Sequence, residues 1–529
     1  MVTFSDNSGI IRSMPSRLDP PPNPAITPPK PPSALRQDAQ RWDHAFARAA
    51  GAAPSDSNAV RLLLDAEENF PAWLDALGKA ERYILFESYL ILDDPVGRAF
   101  AEALAAKARE GLRVCVVYDW LGSRGGAPLW EPLRAAGVEV RAFNPPRFDS
   151  PLAWLSRDHR KSIVIDGEIG FVSGLCIDSA WEGNPEKRLE PWRDTGVEIL
   201  GPAIAELEQA FAQIWTACGG EPFGVLPAGR DDRGPQGNVR VHVVAGVPGA
   251  AGIYRLDLLL ASVARKYLWL TDAYFVGTSA YTQALGAAAA DGVDVRLLVP
   301  GASDIPALSP LSRAGYRPLL EAGVRVFEWN GTMLHAKTAV ADGTWARVGS
   351  TNLNLASWMS NYELDVAIED AAFARAMAAQ YEKDVGRATE IVLTSRNRVR
   401  RTEARATVAK EASEPVARRA ASGSAGRAAA GAVSVGSALG AALTNRRTLG
   451  PAEAGLLATM ASLVLGIVVV AALWPRVIAW PLAIIGAWLA ASWLLKSLSL
   501  WRGVRRGREI DTVPLPTQST RTGHDGGAG

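Results

Sequence analysis

Two stretches decide the fold: HRKSIVIDGEIGFVSGLC at 159–176 and HAKTAVADGTWARVGSTN at 335–352. Each opens His-x-Lys, runs through four further residues to an Asp-Gly pair, and continues into a second apolar run. Residues two apart on an extended chain share a face, so each stretch sets an imidazole beside an ammonium at the head of a strand. The chain holds five histidines in 529 residues, so two of them opening the same pattern is a specific signal. Asp166 and Asp342 complete the spacing; as residues that close a strand before Gly167 and Gly343 they suit a turn, and direct chemistry is the alternative.

Working outward, the segments around both stretches repeat in order. RYILFESYLIL from Arg82, a helix over Gly97–Arg109, LRVCVVYD from Leu112 and AGVEVRAFN from Ala136 precede the first. KYLWLTDAYF from Lys266, TQALGAAAADG from Thr282, VDVRLLVP from Val293 and AGVRVFEWN from Ala322 precede the second. Ahead of these, AVRLLLDA from Ala59 and YRLDLLLASVA from Tyr254 read as apolar helices. Continuous apolar strands alternating with helices predict a sheet covered on both faces. A unit of this length, present twice, predicts two similar α/β lobes packed face to face.

The flanks differ in composition. Residues 1–32 carry nine prolines and no apolar stretch of signal-peptide type, which reads as a disordered lead. Ser33 can cap a helix from Ala34 to about Ala50. The first lobe then extends over 33–225 and the second over 226–395. From 396 to 450 a basic run gives way to Gly, Ala and Ser, the composition of a linker. Gly455–Trp474 and Val477–Leu495 are uncharged apolar runs parted by Pro475 and Arg476, each long enough for roughly 30 Å of hydrocarbon. A two-helix transmembrane hairpin over 455–495 is expected, followed by a basic tail over 496–529. Basic residues cluster outside both spans, which predicts an inner-membrane protein with its catalytic region and tail in the cytoplasm.

Composition narrows the chemistry. With 56 Lys and Arg against 55 Asp and Glu there is no global field for nucleic acid, so a nucleic-acid partner is not expected. Three cysteines without a CxxC pair and histidines without HExxH give little material for a metal site, and neither metal nor cofactor is expected. Two His–Lys pairs suit a phosphodiester: lysines neutralise non-bridging oxygens, while one imidazole attacks phosphorus and the other moves a proton. An unperturbed pKa near 6.5 lets one ring be neutral and one charged at neutral pH. His242, in VRVHVV, reads as a strand residue.

With WRDTGVEILGPAI from Trp192, LVPGASD from Leu298, MLHAKTAVADG from Met333 and GSTNLN…NYELDVAI from Gly349, residues 58–390 resemble the phospholipase D superfamily, specifically bacterial cardiolipin synthases. The resemblance implies a pseudo-twofold α/β/α site between the halves and a phosphohistidine intermediate without metal. It implies catalytic roles for His159, Lys161, His335 and Lys337, with His159 preferred as nucleophile and His335 as general acid, then base. It carries phosphate binding onto Ser350, Asn352 and Gly174, and histidine orientation onto Glu363 and Asp194. Cys176 stands where the family has Asn and removes a donor. The implied activity is phosphatidyl transfer making cardiolipin from phosphatidylglycerol. A phospholipase D hydrolase, a phosphodiesterase or nuclease, and an inactive membrane-binding module are the rivals.

Overall fold

The computed structural model describes residues 44–146, 156–221, 235–304, 308–393 and 399–401, together with single positions between 462 and 494. Residues 1–45 and 46–529 segregate as two compact units, and the architecture below belongs to the second. Its strands are β1 (Ser55–Leu64), β2 (Tyr83–Ser88), β3 (Arg113–Asp119), β4 (Glu139–Phe143), β5 (Lys161–Ile165), β6 (Ile169–Ser173), β7 (Thr195–Leu200) and β8 (Val239–Gly246). There follow β9 (Tyr267–Thr271), β10 (Asp294–Pro300), β11 (Arg325–Trp329), β12 (Thr338–Ala341), β13 (Trp345–Gly349), β14 (Glu363–Glu369), β15 (Ala388–Leu393) and β16 (Val399–Arg401). The sheet order is a near-palindrome: β4-β3-β2-β5-β6-β7-β1 on one side is answered by β8-β14-β13-β12-β9-β10-β11, with β15 and β16 extending the far edge. The pseudo-twofold therefore passes between β1 and β8.

Helices cover the strands as the continuous apolar runs require. On β2, Ile84 and Phe86 join a core with α1 (Asp65–Gly78), α2 (Pro95–Arg109) and α3 (Ala127–Ala135), through Phe70, Trp73, Phe100 and Trp130. The alternate residues, Tyr83 and Leu85, point into a second core built on α4 (Ile204–Ala217). That second core runs through both halves: Val172 and Val197 share it with Val340, Val348 and Val366, and α9 (Ala371–Gly386) adds Phe373 and Met377. The remaining helices are α5 (Gly252–Val263), α6 (Ser279–Ala290), α7 (Leu308–Glu321) and α8 (Leu355–Met359). The halves share an apolar core, but they are also continuous through the sheet, because β1 pairs antiparallel with both β7 and β8.

One expected element is corrected. Ala59–Ala66, read as a helix, is mostly β1, whose residues Ala59 to Leu64 pair with Leu200 to Thr195. A short apolar run of this kind fits a strand as well as a buried helix, and periodicity alone does not separate the two. Helix α1 starts only at Asp65, which leaves the strand with φ 53° and heads a first turn rich in acid. The repeat partner of that helix, α5, is helical as read.

Among the described residues no helix is long and apolar enough to cross a membrane. Most of 455–495 lies outside the described residues, as do the lead over 1–32, the Ser33 cap, the tail over 496–529 and the linker expected over 396–450 except for 399–401, which form β16. Residues 44–50 are helical, and Gly51 with φ 72° follows them.

Candidate active site

Each histidine sits just ahead of its strand and is held by the opposite half. His159 donates its backbone N–H to Tyr362 O at 2.9 Å, and His335 donates to Arg193 O at 2.7 Å. Tyr362 and Arg193 immediately precede Glu363 and Asp194. The same short parallel bridges therefore deliver a carboxylate to the far nitrogen of each ring: His159 Nδ1 lies 2.9 Å from Glu363 Oε2 and His335 Nδ1 2.8 Å from Asp194 Oδ2. The pairing is crossed, each half's acid orienting the other half's histidine. With Nδ1–H donated to a carboxylate, Nε2 is left with its lone pair for chemistry.

Lys161 and Lys337 complete the set. Each Nζ donates to the backbone carbonyl of its own motif's histidine, Lys161 to His159 and Lys337 to His335. Lys161 also lies over the Tyr89 ring at 5.2 Å and Lys337 over Tyr274 at 5.8 Å. Burial, then the lysines, pushes both imidazoles down against the pull of their carboxylates, His159 to about 4 and His335 to about 3. Lys337 is itself lowered to about 8, first by burial and then by Lys161. Burial favours neutral acids at Asp194 and Glu363, but the adjoining rings and lysines win and hold both below the ordinary carboxylate range. Both shifts favour neutral imidazoles between cations and anions over the expected single charged ring.

The positions expected to bind phosphate divide. Ser350 Oγ donates to Glu363 Oε2 at 2.6 Å and accepts the Leu364 N–H, so it fixes the carboxylate behind His159. Gly174 holds the matching place on the other side, where a Cβ would lie 2.1 Å from Asp194 Oδ1. No side chain fits there, and the hydroxyl's task passes to the Trp181 indole N–H, which donates to Asp194 Oδ2 at 2.9 Å. Gly174→Ala is expected to push Asp194 off His335, costing about 1–3 kcal/mol of stability and most turnover; melting and activity measured together check it. Asn352 is buried with its Oδ1 lacking a partner among the described residues. Cys176 occupies the matching position, buried, with its thiol pushed up by burial and opposed by both lysines.

Asp166 and Asp342 lie at the far ends of β5 and β12 from the histidines. Asp166 accepts the backbone N–H groups of Glu81, Arg82 and Tyr83, and Asp342 those of Arg265, Lys266 and Tyr267. Both residues have positive φ, 56° and 53°. They tie the entries of β2 and β9 to the turns, and the catalytic alternative has no geometry to support it. His242 is a buried strand residue 3.0 Å from Glu369 Oε1, away from the rings.

Three contributors escaped the sequence reading. Trp181 has just been described. Arg193 anchors the Asp194 segment by ion pairs to Asp384 at 3.0 Å and Asp65 at 3.1 Å. Asp272, raised to about 7 by burial, accepts the Leu353 and Tyr274 N–H groups and fixes the loops beside Lys337. The visible signal was WRDT itself, where an arginine precedes the orienting acid.

A near-twofold α/β fold with two His–Lys pairs across its axis defines a phospholipase D-type site. The family model described as cardiolipin synthase, PLD-like domain, matches residues 259–385. Cardiolipin synthase A of Pseudomonas aeruginosa (strain LESB58) is 33% identical over 354 residues, covering 66% of this chain and 71% of its own. Cardiolipin synthase of Geobacillus kaustophilus (strain HTA426) is 37% identical over 316 residues, 58% of this chain and 61% of its own. Phosphatidylserine synthase of Haemophilus influenzae shares the fold with a TM-score of 0.52 at 15% identity, covering 66% of this chain and 92% of that one. The chain belongs to the cardiolipin synthase family of phospholipase D-like proteins.

Proposed function

We propose that the protein is a phosphatidyltransferase that makes cardiolipin from two molecules of phosphatidylglycerol. The observation that carries this reading is the pair of imidazoles, each freed at Nε2 by a carboxylate on Nδ1 and each flanked by its own lysine. His159 Nε2 attacks phosphorus; the P–O bond to glycerol breaks as His335 supplies its proton. The hydroxyl of the second lipid then gives its proton to His335 and attacks phosphorus, and the P–N bond to His159 breaks. Lys161 and Lys337 neutralise the phosphoryl oxygens in both transition states.

The membrane part of the proposal rests on the apolar runs over 455–495. The described positions there include Leu465, Leu473, Trp474, Trp480, Ile484 and Leu494, all exposed, and exposed large apolar groups at this density suit a lipid surroundings better than water. A hairpin at this place holds the catalytic region at the surface that contains donor and acceptor. One experiment tests both parts: purified protein in vesicles of labelled phosphatidylglycerol should float with them and yield cardiolipin and glycerol. Phosphatidic acid as the only product favours a hydrolase, and DNA cleavage without lipid turnover favours a nuclease.

The depressed rings add a pH dependence. A bound phosphodiester anion opposes the lysines, the lesser cause of the depression beside burial, so binding is expected to favour a proton on one imidazole. Proton uptake on binding means that affinity falls as pH rises, by up to about tenfold per unit for one proton. Above about 8 the discharge of Lys337 steepens the fall. Calorimetric titration with an unreactive phosphodiester between pH 5 and 9 should show this slope; a flat profile contradicts the charge assignment.

A further inference from the structure

The two rings differ in what surrounds them. His335 is enclosed by aromatic side chains: Trp181 edge-on with centroids 5.2 Å apart, Trp192 at 5.8 Å and Tyr274 at 5.8 Å. Trp181 and Trp192 contact one another at 4.7 Å. Trp192 also packs on Tyr274 and Met333, and the Tyr274 hydroxyl donates to Asp304 Oδ1 at 2.8 Å, which fixes that ring. On the other side, among the described residues, Tyr89 lies against His159 with centroids 4.9 Å apart. The His335 side chain is 6% exposed and that of His159 12%. Trp181 is buried, whereas Trp192 is half-buried and stands at the outer edge of the enclosure.

We infer that Trp181, Trp192 and Tyr274 form the acceptor wall of the site, excluding water from His335 so that a lipid hydroxyl, rather than water, takes the phosphatidyl group. This rests on the transferase reading. In the second step an acceptor O–H must reach His335 Nε2, give up its proton there and form the new P–O bond while the P–N bond to His159 breaks. Bulk water is the competitor, and it loses only where the base is dry and the intended hydroxyl is already positioned. A contacting, tilted indole pair and a tied phenol supply an apolar surface that an acyl glycerol chain can lie against. The same loop serves the chemistry twice, since Trp181 also holds Asp194.

The test is a product ratio, which a partial loss of folded protein leaves unchanged. In vesicles of labelled phosphatidylglycerol, Trp192→Ala should raise phosphatidic acid relative to cardiolipin by about fivefold or more. Trp181→Phe keeps the ring and loses the N–H donated to Asp194, so it should lower turnover while holding the ratio near that of the unmodified protein. Tyr89→Ala, beside the other histidine, should lower turnover without moving the ratio. An unchanged ratio in Trp192→Ala, or an equal shift in Tyr89→Ala, overturns the assignment of the wall to His335. Unmodified protein that yields no cardiolipin at all defeats the transferase reading itself, a result read before any variant is compared.

Discussion

Replacing His159 by asparagine is expected to lower phosphatidyl transfer by about 10⁴-fold or more, because no P–N bond can form. Replacing His335 should cost about 10²–10⁴-fold, the usual worth of a positioned proton donor and acceptor. The two losses separate with a substrate whose leaving group needs no proton. On a nitrophenyl phosphodiester, His335→Asn should release one equivalent of nitrophenolate in a burst and stall as an acid-labile phosphoryl adduct on His159. His159→Asn should give no burst. The structure motivates this order through solvation: the nucleophile must face the incoming lipid, and the His159 side chain is the more open ring. An adduct mapped to His335 in the reciprocal variant would reverse the roles, and an adduct on neither ring ends the covalent mechanism.

Much of this site is legible in the sequence because its chemistry is local. The His-x-Lys spacing places four groups without any knowledge of the sheet, and the duplicated segments around it predict the lobes. What is not legible depends on contacts between distant segments. Ala59–Ala66 has the apolar content of a helix, and only the pairing of Ala59–Leu64 with β7 makes it a strand. Asp194 and Glu363 can be picked out as orienting acids, yet the crossing of the pairs follows from the bridges Arg193–Leu334 and Asp158–Tyr362, which no spacing encodes. Ser350 and Gly174 look like phosphate contacts; that one buttresses a carboxylate and the other makes room for one emerges from packing around the acids. The imidazole charges are likewise a product of burial beside two ammoniums, which an unperturbed pKa cannot anticipate.

The crossed acids make the strongest test of that geometry. Asp194→Asn should cut transfer by about 10²–10⁴-fold, since an amide can no longer hold the His335 tautomer or stabilise its cation. Glu363→Gln should do the same through His159. The two are nearly isosteric, and neither acid needs to touch the substrate, so the distinction lies in which histidine each variant disables. If Asp194 acts through His335, combining Asp194→Asn with His335→Asn should add little to the single histidine loss, while combining it with His159→Asn has no such built-in redundancy. The leaving-group probe sharpens this. Asp194→Asn should retain the nitrophenolate burst, as His335→Asn does, because the nucleophile and its own acid are intact. Glu363→Gln should lose the burst along with turnover, because the ring that attacks phosphorus has lost the carboxylate charge behind its Nδ1 that stabilises the phosphohistidine-forming cation. The opposite pattern, with Glu363→Gln sparing the burst and Asp194→Asn abolishing it, would mean that each acid serves the histidine of its own half, and that the bridges carrying His335 to Arg193 and His159 to Tyr362 do not set the working geometry.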